Sequence, residues 1–77
     1  MAVPNAPPSP LRRVFGVNVR NRRKALNLSQ EELADRAGVH RTYMGAVERA
    51  EKNVSIDNLD RISIAVGATA AELLRND

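Results

Sequence analysis

Apolar residues along this chain recur at the 3.6-residue spacing of helices, and no useful stretch alternates as a strand would. Phe15, Val19 and Leu26 share one face of a first helix spanning about Leu11–Leu26, and Asn27 suits the left-handed position that ends helices. Ser29 opens a second helix, with Glu32 three residues on, the spacing of a capping box. Leu33, Ala34 and Ala37 give that helix its inner face. Gly38 is free to take positive φ and turn the chain, and Val39 plugs the turn. A third helix spans about Arg41–Arg49, with Met44 and Val47 pointing inward and Tyr43 and Ala46 lying toward the other side. After a polar loop over residues 50–55, Ser55 caps a fourth helix carrying Leu59, Ile62 and Val66 at i, i+3 and i+7, and Gly67 closes it. Thr69 and Glu72 form a second capping box, for a short fifth helix with Leu73 and Leu74. The expected class is therefore all-α: a compact five-helix domain with no sheet and no internal repeat.

The pattern starts only after residue 10. Residues 1–10, MAVPNAPPSP, hold all four prolines, which remove backbone donors and fix φ, so this segment reads as a flexible or polyproline-like leader to a domain over 11–77. It carries no Arg or Lys, which favours a passive tail over a minor-groove arm. One apolar residue falls outside the core stripes. Ile64 lies about 140° around the fourth helix from Leu59, at 100° per residue. Two placements fit it equally: an exposed apolar patch with Leu73 or Leu74 that forms a dimer seam, or packing under the fifth helix within one subunit.

A chain of 77 residues makes one domain. A domain of that size buries only about 60% of its unfolded surface, so self-association or a bound partner would help it. Cysteine is absent, which removes disulfides and thiolate metal sites, and no apolar run approaches the roughly 20 residues of a membrane helix. The expectation is a soluble cytoplasmic protein. Net charge is +3, but residues 1–27 hold Arg12, Arg13, Arg20, Arg22, Arg23 and Lys24 with no acid, while residues 28–77 hold six basic and nine acidic residues. A basic front on a small domain suits a polyanion.

The segment LSQEELADRAGVHRTYMGAVE, Leu28 to Glu48, reads as two short helices about a glycine turn, with Ala34 and Gly38 small where the helices approach. Val39 and Val47 lock the second against the first. That second helix leads with His40, Arg41, Thr42 and Tyr43, whose polar ends reach beyond the backbone, as in a reader of the DNA major groove. An ordinary helical hairpin in a small bundle is the alternative. Catalysis has little to work with: beyond the lone His40, the acids Asp35, Glu48, Asp57 and Asp60 are scattered. No nucleophile–base spacing, phosphate loop or metal cluster appears, so no cofactor is expected.

From Phe15 to Leu74 the sequence resembles the Cro/phage-repressor type of helix-turn-helix domain, the XRE family, with its lambda-repressor-like five-helix pattern. Its HRTY wording at the head of the third helix is similar to that of the controller proteins of restriction–modification systems. The resemblance implies a sequence-specific transcription regulator, a homodimer on a palindromic operator of double-stranded DNA near its own promoter, and RNA polymerase as a further partner. It also implies roles by position. Gln30 matches a glutamine that grips a DNA phosphate. Arg41, Thr42 and Ala46 match positions facing base edges, and Tyr43 one that reaches base or phosphate. Arg23 and Glu48 match an ion pair between the first and third helices. That leaves Arg20, Arg22 and Lys24 for phosphates, with His40 there as well, because an imidazole caps less well than the family's Ser or Thr. Ala50 stands where the family usually has glycine. Dimerisation is expected through the fourth and fifth helices at Ile64, Leu73 and Leu74. With the chain ending soon after the fifth helix, no effector pocket is expected. An antitoxin that also masks a toxin partner uses the same domain and is the alternative function.

Overall fold

A computed structural model of the chain describes residues 7–76, and these form five helices with no strand. They are α1 (Leu11–Ala25), α2 (Gln30–Ala37), α3 (Arg41–Glu48), α4 (Ile56–Val66) and α5 (Ala70–Leu73). Each begins where a short polar side chain satisfies a free backbone N–H. The Ser9 hydroxyl accepts from the Leu11 N–H at 3.2 Å, and the Ser55 hydroxyl accepts from the Asn58 N–H at 3.1 Å. Ser29 with Glu32, and Thr69 with Glu72, form complete capping boxes. The serine and threonine hydroxyls accept from the N3 amide at 3.0 Å in each, and the glutamate accepts from the cap amide at 2.9 Å. His40 caps α3 through Nδ1, which accepts from the Thr42 N–H at 3.1 Å. Most of residues 1–10 lies outside the described residues, so the leader is known here only from Pro7 to the α1 cap at Pro10.

The four longer helices stop in the same way. Each is followed by one left-handed residue: Asn27 at φ 57°, Gly38 at 72°, Ala50 at 63° and Gly67 at 67°. The next amide then reaches back five residues. Leu28 donates to Arg23 O, Val39 to Ala34 O, Glu51 to Ala46 O and Ala68 to Ser63 O, all within 2.9–3.1 Å. This closes the orphan carbonyls of each final turn. Asparagine tolerates the conformation, but Ala50 carries a Cβ that crowds it. The position that departs from the family's glycine therefore keeps the glycine's backbone and takes on its strain.

The core lies where α1 and α4 close over the α2–α3 pair. Val19, Leu33, Met44, Val47, Ile62 and Val66 are fully buried, with Phe15, Leu28, Ala34, Ala37 and Leu73 around them. The expected inner faces of α2 and α4 are the observed ones, and on α3 Met44 and Val47 point inward as expected but Ala46, expected on the other side, is buried as well. The close approach of α1 to α3 depends on Gly16. A Cβ built there would stand 2.6 Å from Val47 O and 2.8 Å from Glu48 O, backbone atoms that cannot swing aside. Two further side chains of α1 finish other helices. The Asn18 Nδ2 donates to Leu73 O and Arg75 O at 2.8 and 2.9 Å, and Arg22 donates to Val66 O and Gly67 O at 2.9 and 3.1 Å.

Two expectations are corrected by this packing. Leu73 is not at a dimer seam. It is 2% exposed, because it is the one large apolar side chain of a four-residue helix and so the one that holds the helix to the core. Ile64 does not pack under α5 but stands 72% exposed.

Replacing Ala50 by glycine removes the Cβ clash at fixed backbone. The Ala50→Gly variant should gain about 0.5–1 kcal/mol, the left-handed strain less the extra freedom of the unfolded chain, read as a higher urea midpoint with unchanged slope. The capping boxes give a pH dependence. The Ser29 amide, then its hydroxyl, hold the Glu32 carboxyl below its ordinary value, and Thr69 does the same for Glu72. Their contribution is complete above the unfolded glutamate value of about 4.3 and is lost as pH falls through the lower folded values. Glutamine keeps a box without titrating. The Glu32→Gln/Glu72→Gln variant should therefore lose less stability than the parent between about pH 5 and pH 3, in thermal melts across that range.

Candidate nucleic-acid interface

The turn at Gly38 and the cap at His40 bring the first turn of α3 to the surface beside the first turn of α2. Arg41 and Thr42 are exposed there. They share a shallow cleft of about 370 Å³ with Gln30, Glu31, Gly45 and Arg49. Arg41, Gly45 and Arg49 follow at i, i+4 and i+8, so they form one stripe of α3. Gly45 keeps the floor of the cleft low: a Cβ there would sit 3.1 Å from the Arg49 guanidinium and 3.3 Å from the Gln30 amide oxygen.

Behind the cleft lies a polar network. Arg23 Nε donates to Glu48 Oε2 at 2.7 Å, and its Nη2 donates to Oε1 at 3.0 Å, a two-toothed pair between α1 and α3. Arg23 Nη1 donates to Leu28 O at 2.8 Å. Gln30 Nε2 donates to the same Glu48 Oε1 at 3.1 Å. The Glu48 side chain is only 4% exposed, and three N–H donors surround its carboxylate oxygens. In turn Glu48, chiefly through its hydrogen bonds, raises the Arg23 pKa. Gln30 thus stands at the first position of α2 with one amide hydrogen anchored and the other available outward. The partial positive charge of the helix N-terminus lies beside it.

Both arginines of the cleft are held by carboxylates. Arg41 Nη1 donates to Glu31 Oε2 at 3.3 Å. Arg49 donates twice to Glu51, each bond 3.1 Å. All four side chains are more than half exposed, and exposed pairs of this kind contribute about 0–1 kcal/mol.

Other residues expected at the site stand elsewhere. Ala46 is 6% exposed and turned into the molecule, so the side chain expected to offer a methyl to a base is covered. Tyr43 is half-buried against the core, and its hydroxyl accepts from Asn58 Nδ2 at 3.1 Å, which ties it to α4. Arg22 is not a spare cation. Its guanidinium closes the C-terminus of α4, where a positive charge also offsets the helix dipole. His40 is the α3 cap, and because Nδ1 accepts, the proton of the neutral ring lies on Nε2. Arg20 and Lys24 are exposed one turn apart on α1. Arg49, Glu31 and Gly45 belong to the cleft and were not singled out from the sequence. The i, i+4, i+8 spacing of Arg41, Gly45 and Arg49 was the signal available for them. Among the described residues no group of His, Asp or Glu gathers as a metal site would, and no helix is long and apolar enough to cross a membrane.

Comparison with known proteins matches residues 19–73 to the family model described as helix-turn-helix. The chain belongs to the helix-turn-helix family. Among curated relatives of this family, the control protein C.SmaI of Serratia marcescens is 42% identical over 64 residues, covering 83% of this chain and 76% of its own length. The control protein C.BamHI of Bacillus amyloliquefaciens is 45% identical over 65 residues, covering 83% of this chain and 80% of its own. Among solved structures, the restriction–modification controller protein C.AhdI of Aeromonas hydrophila superposes with a TM-score of 0.77 at 40% identity. It covers 80% of this chain and 94% of that one. The biofilm regulator SinR, solved in complex with DNA, gives 0.75 at 32% identity over 79% of this chain and 98% of its own. Helix-turn-helix proteins of this kind are DNA-binding regulators and not enzymes.

Proposed function

We propose that this chain is a dimeric controller protein of a restriction–modification system that binds a palindromic operator near its own promoter. The observation that carries the reading is the exposed pair Arg41 and Thr42 at the free end of α3, with Gln30 braced beside them by Glu48. α3 enters the major groove, the Arg41 guanidinium donates two parallel bonds to guanine O6 and N7, and Thr42 meets a neighbouring base edge. The Gln30 amide and the N-terminus of α2 take a phosphate, as does the His40 Nε2–H, while Arg20 and Lys24 add backbone charge. Ala46, Tyr43 and Arg22 are left out of direct contact, for the reasons given by their burial and bonds. The control proteins among the relatives favour this reading over an antitoxin.

One domain reads too few bases for a unique address. Two copies across a palindrome, with their α3 helices about 34 Å apart, double the site. The 72% exposed Ile64 on α4, with half-buried Leu74 at the chain's α5 end, supplies the apolar seam. Such a regulator acts in the cytoplasm and, where it activates, beside RNA polymerase.

Selection from random-sequence DNA should return a two-fold symmetric site containing guanine in each half. On that site Arg41→Ala should lose about 1–3 kcal/mol and relax preference at one base position per half. Unchanged affinity and unchanged preference would remove Arg41 from the interface. Ile64→Glu should sediment as a monomer with an intact fold and lose the two-copy complex in a mobility-shift titration. A dimer that survives the charge would place the seam elsewhere.

A further inference from the structure

A carboxylate at the centre of a face that meets phosphates is out of place unless it acts there. Glu31 is such a group. It lies in the cleft with Gln30, Arg41 and Thr42 and accepts from Arg41 Nη1 at 3.3 Å. It is 64% exposed, so the fold does not depend on burying it, and the capping box of α2 is filled by the next residue, Glu32. It stands in the first turn of α2, beside the helix N-terminus and the Gln30 amide that take a phosphate in the reading above.

We infer that Glu31 is a specificity-determining residue, which withholds Arg41 from phosphates and gives it up to a guanine edge. This rests on Arg41 reading bases, as proposed above. A free arginine at the tip of α3 would attach to any backbone within reach and strengthen binding to every sequence alike. Bound to Glu31, the guanidinium already has a carboxylate partner. A single phosphate offers little in exchange, and its own charge is repelled by Glu31. Guanine offers two parallel acceptors on a neutral base, so the exchange is favoured there without bringing a second anion against the carboxylate. Glu31 therefore penalises wrong duplexes more than the right one, which is specificity gained by a repulsive element.

Glu31→Gln keeps the length and the acceptor and removes the charge. Its affinity is measured on the duplex recovered by selection and on a scrambled duplex of the same length. Scrambled-duplex affinity should rise about two- to fivefold, the worth of one exposed charge pair, while affinity for the selected duplex changes less. The salt dependence on the scrambled duplex should steepen by about one counterion. Glu32→Gln makes the same change of net charge one residue away and should leave the ratio of the two affinities as it is. On an Arg41→Ala background, Glu31→Gln should no longer alter that ratio. Equal gains on both duplexes, no gain on the scrambled one, an equal effect from Glu32→Gln, or persistence without Arg41 would each overturn the inference. If Arg41→Ala alone leaves binding and preference untouched, the base-reading role falls and this inference falls with it. If Arg41→Ala relaxes preference but Glu31→Gln does not alter the ratio, only the inference falls.

Discussion

The structure turns on the Glu48 carboxylate. It is nearly buried at the last position of α3, and it collects two bonds from Arg23 of α1 and one from Gln30 of α2. One acceptor thereby fixes three helices, and the third bond holds a side chain of the cleft at the head of α3. Burying an ion pair seldom adds net stability against an apolar substitute, but leaving either partner alone is costly. The pair therefore acts as a registration device. α1 and α3 are joined where Arg23 reaches Glu48, and the Gln30 amide of α2 is aimed by the same carboxylate.

α1 is the clamp on the other elements. Gly16 allows its backbone to meet the end of α3 closely, Asn18 closes α5, Arg22 closes α4, and Arg23 holds Glu48. Four residues of α1, pointing in different directions around it, thus serve three helices. This changes the meaning of the basic front of the chain. Part of that charge is spent inside the molecule on carbonyls and a carboxylate, and only the part on exposed positions such as Arg20 and Lys24 faces solvent. The cleft at the head of α3, conversely, has acids that bind its arginines, so its field is more balanced than a count of cations suggests.

The common ending of α1 to α4 shows how little a helix stop depends on side chain when tertiary packing insists on it. Glycine fills the left-handed position twice, asparagine once and alanine once, with the same return bond from the following amide. At Ala50 the chain retains the turn that ends α3, and accepts local strain for it.

Helix number, most helix starts and most helix ends were legible in the sequence, because they depend on groups within four residues: a Ser or Thr that meets an amide three positions on, or a residue that tolerates positive φ. The apolar faces of α2, α3 and α4 followed from their period, and Arg41 and Thr42 are exposed because the first turn of a helix that begins at the surface has nothing above it. The destinations of long side chains were not legible. Arg20, Arg22 and Lys24 look alike in sequence, yet Arg22 is drawn to a carbonyl 44 residues away, and Arg23 was matched to Glu48 by the family resemblance, not by its local pattern. Leu73 and Ile64 are both aliphatic residues near the end of the chain, and only the packing decided which one fills the core and which is left outside. Contacts between distant residues depend on the relative placement of whole helices, and no local pattern carries that information.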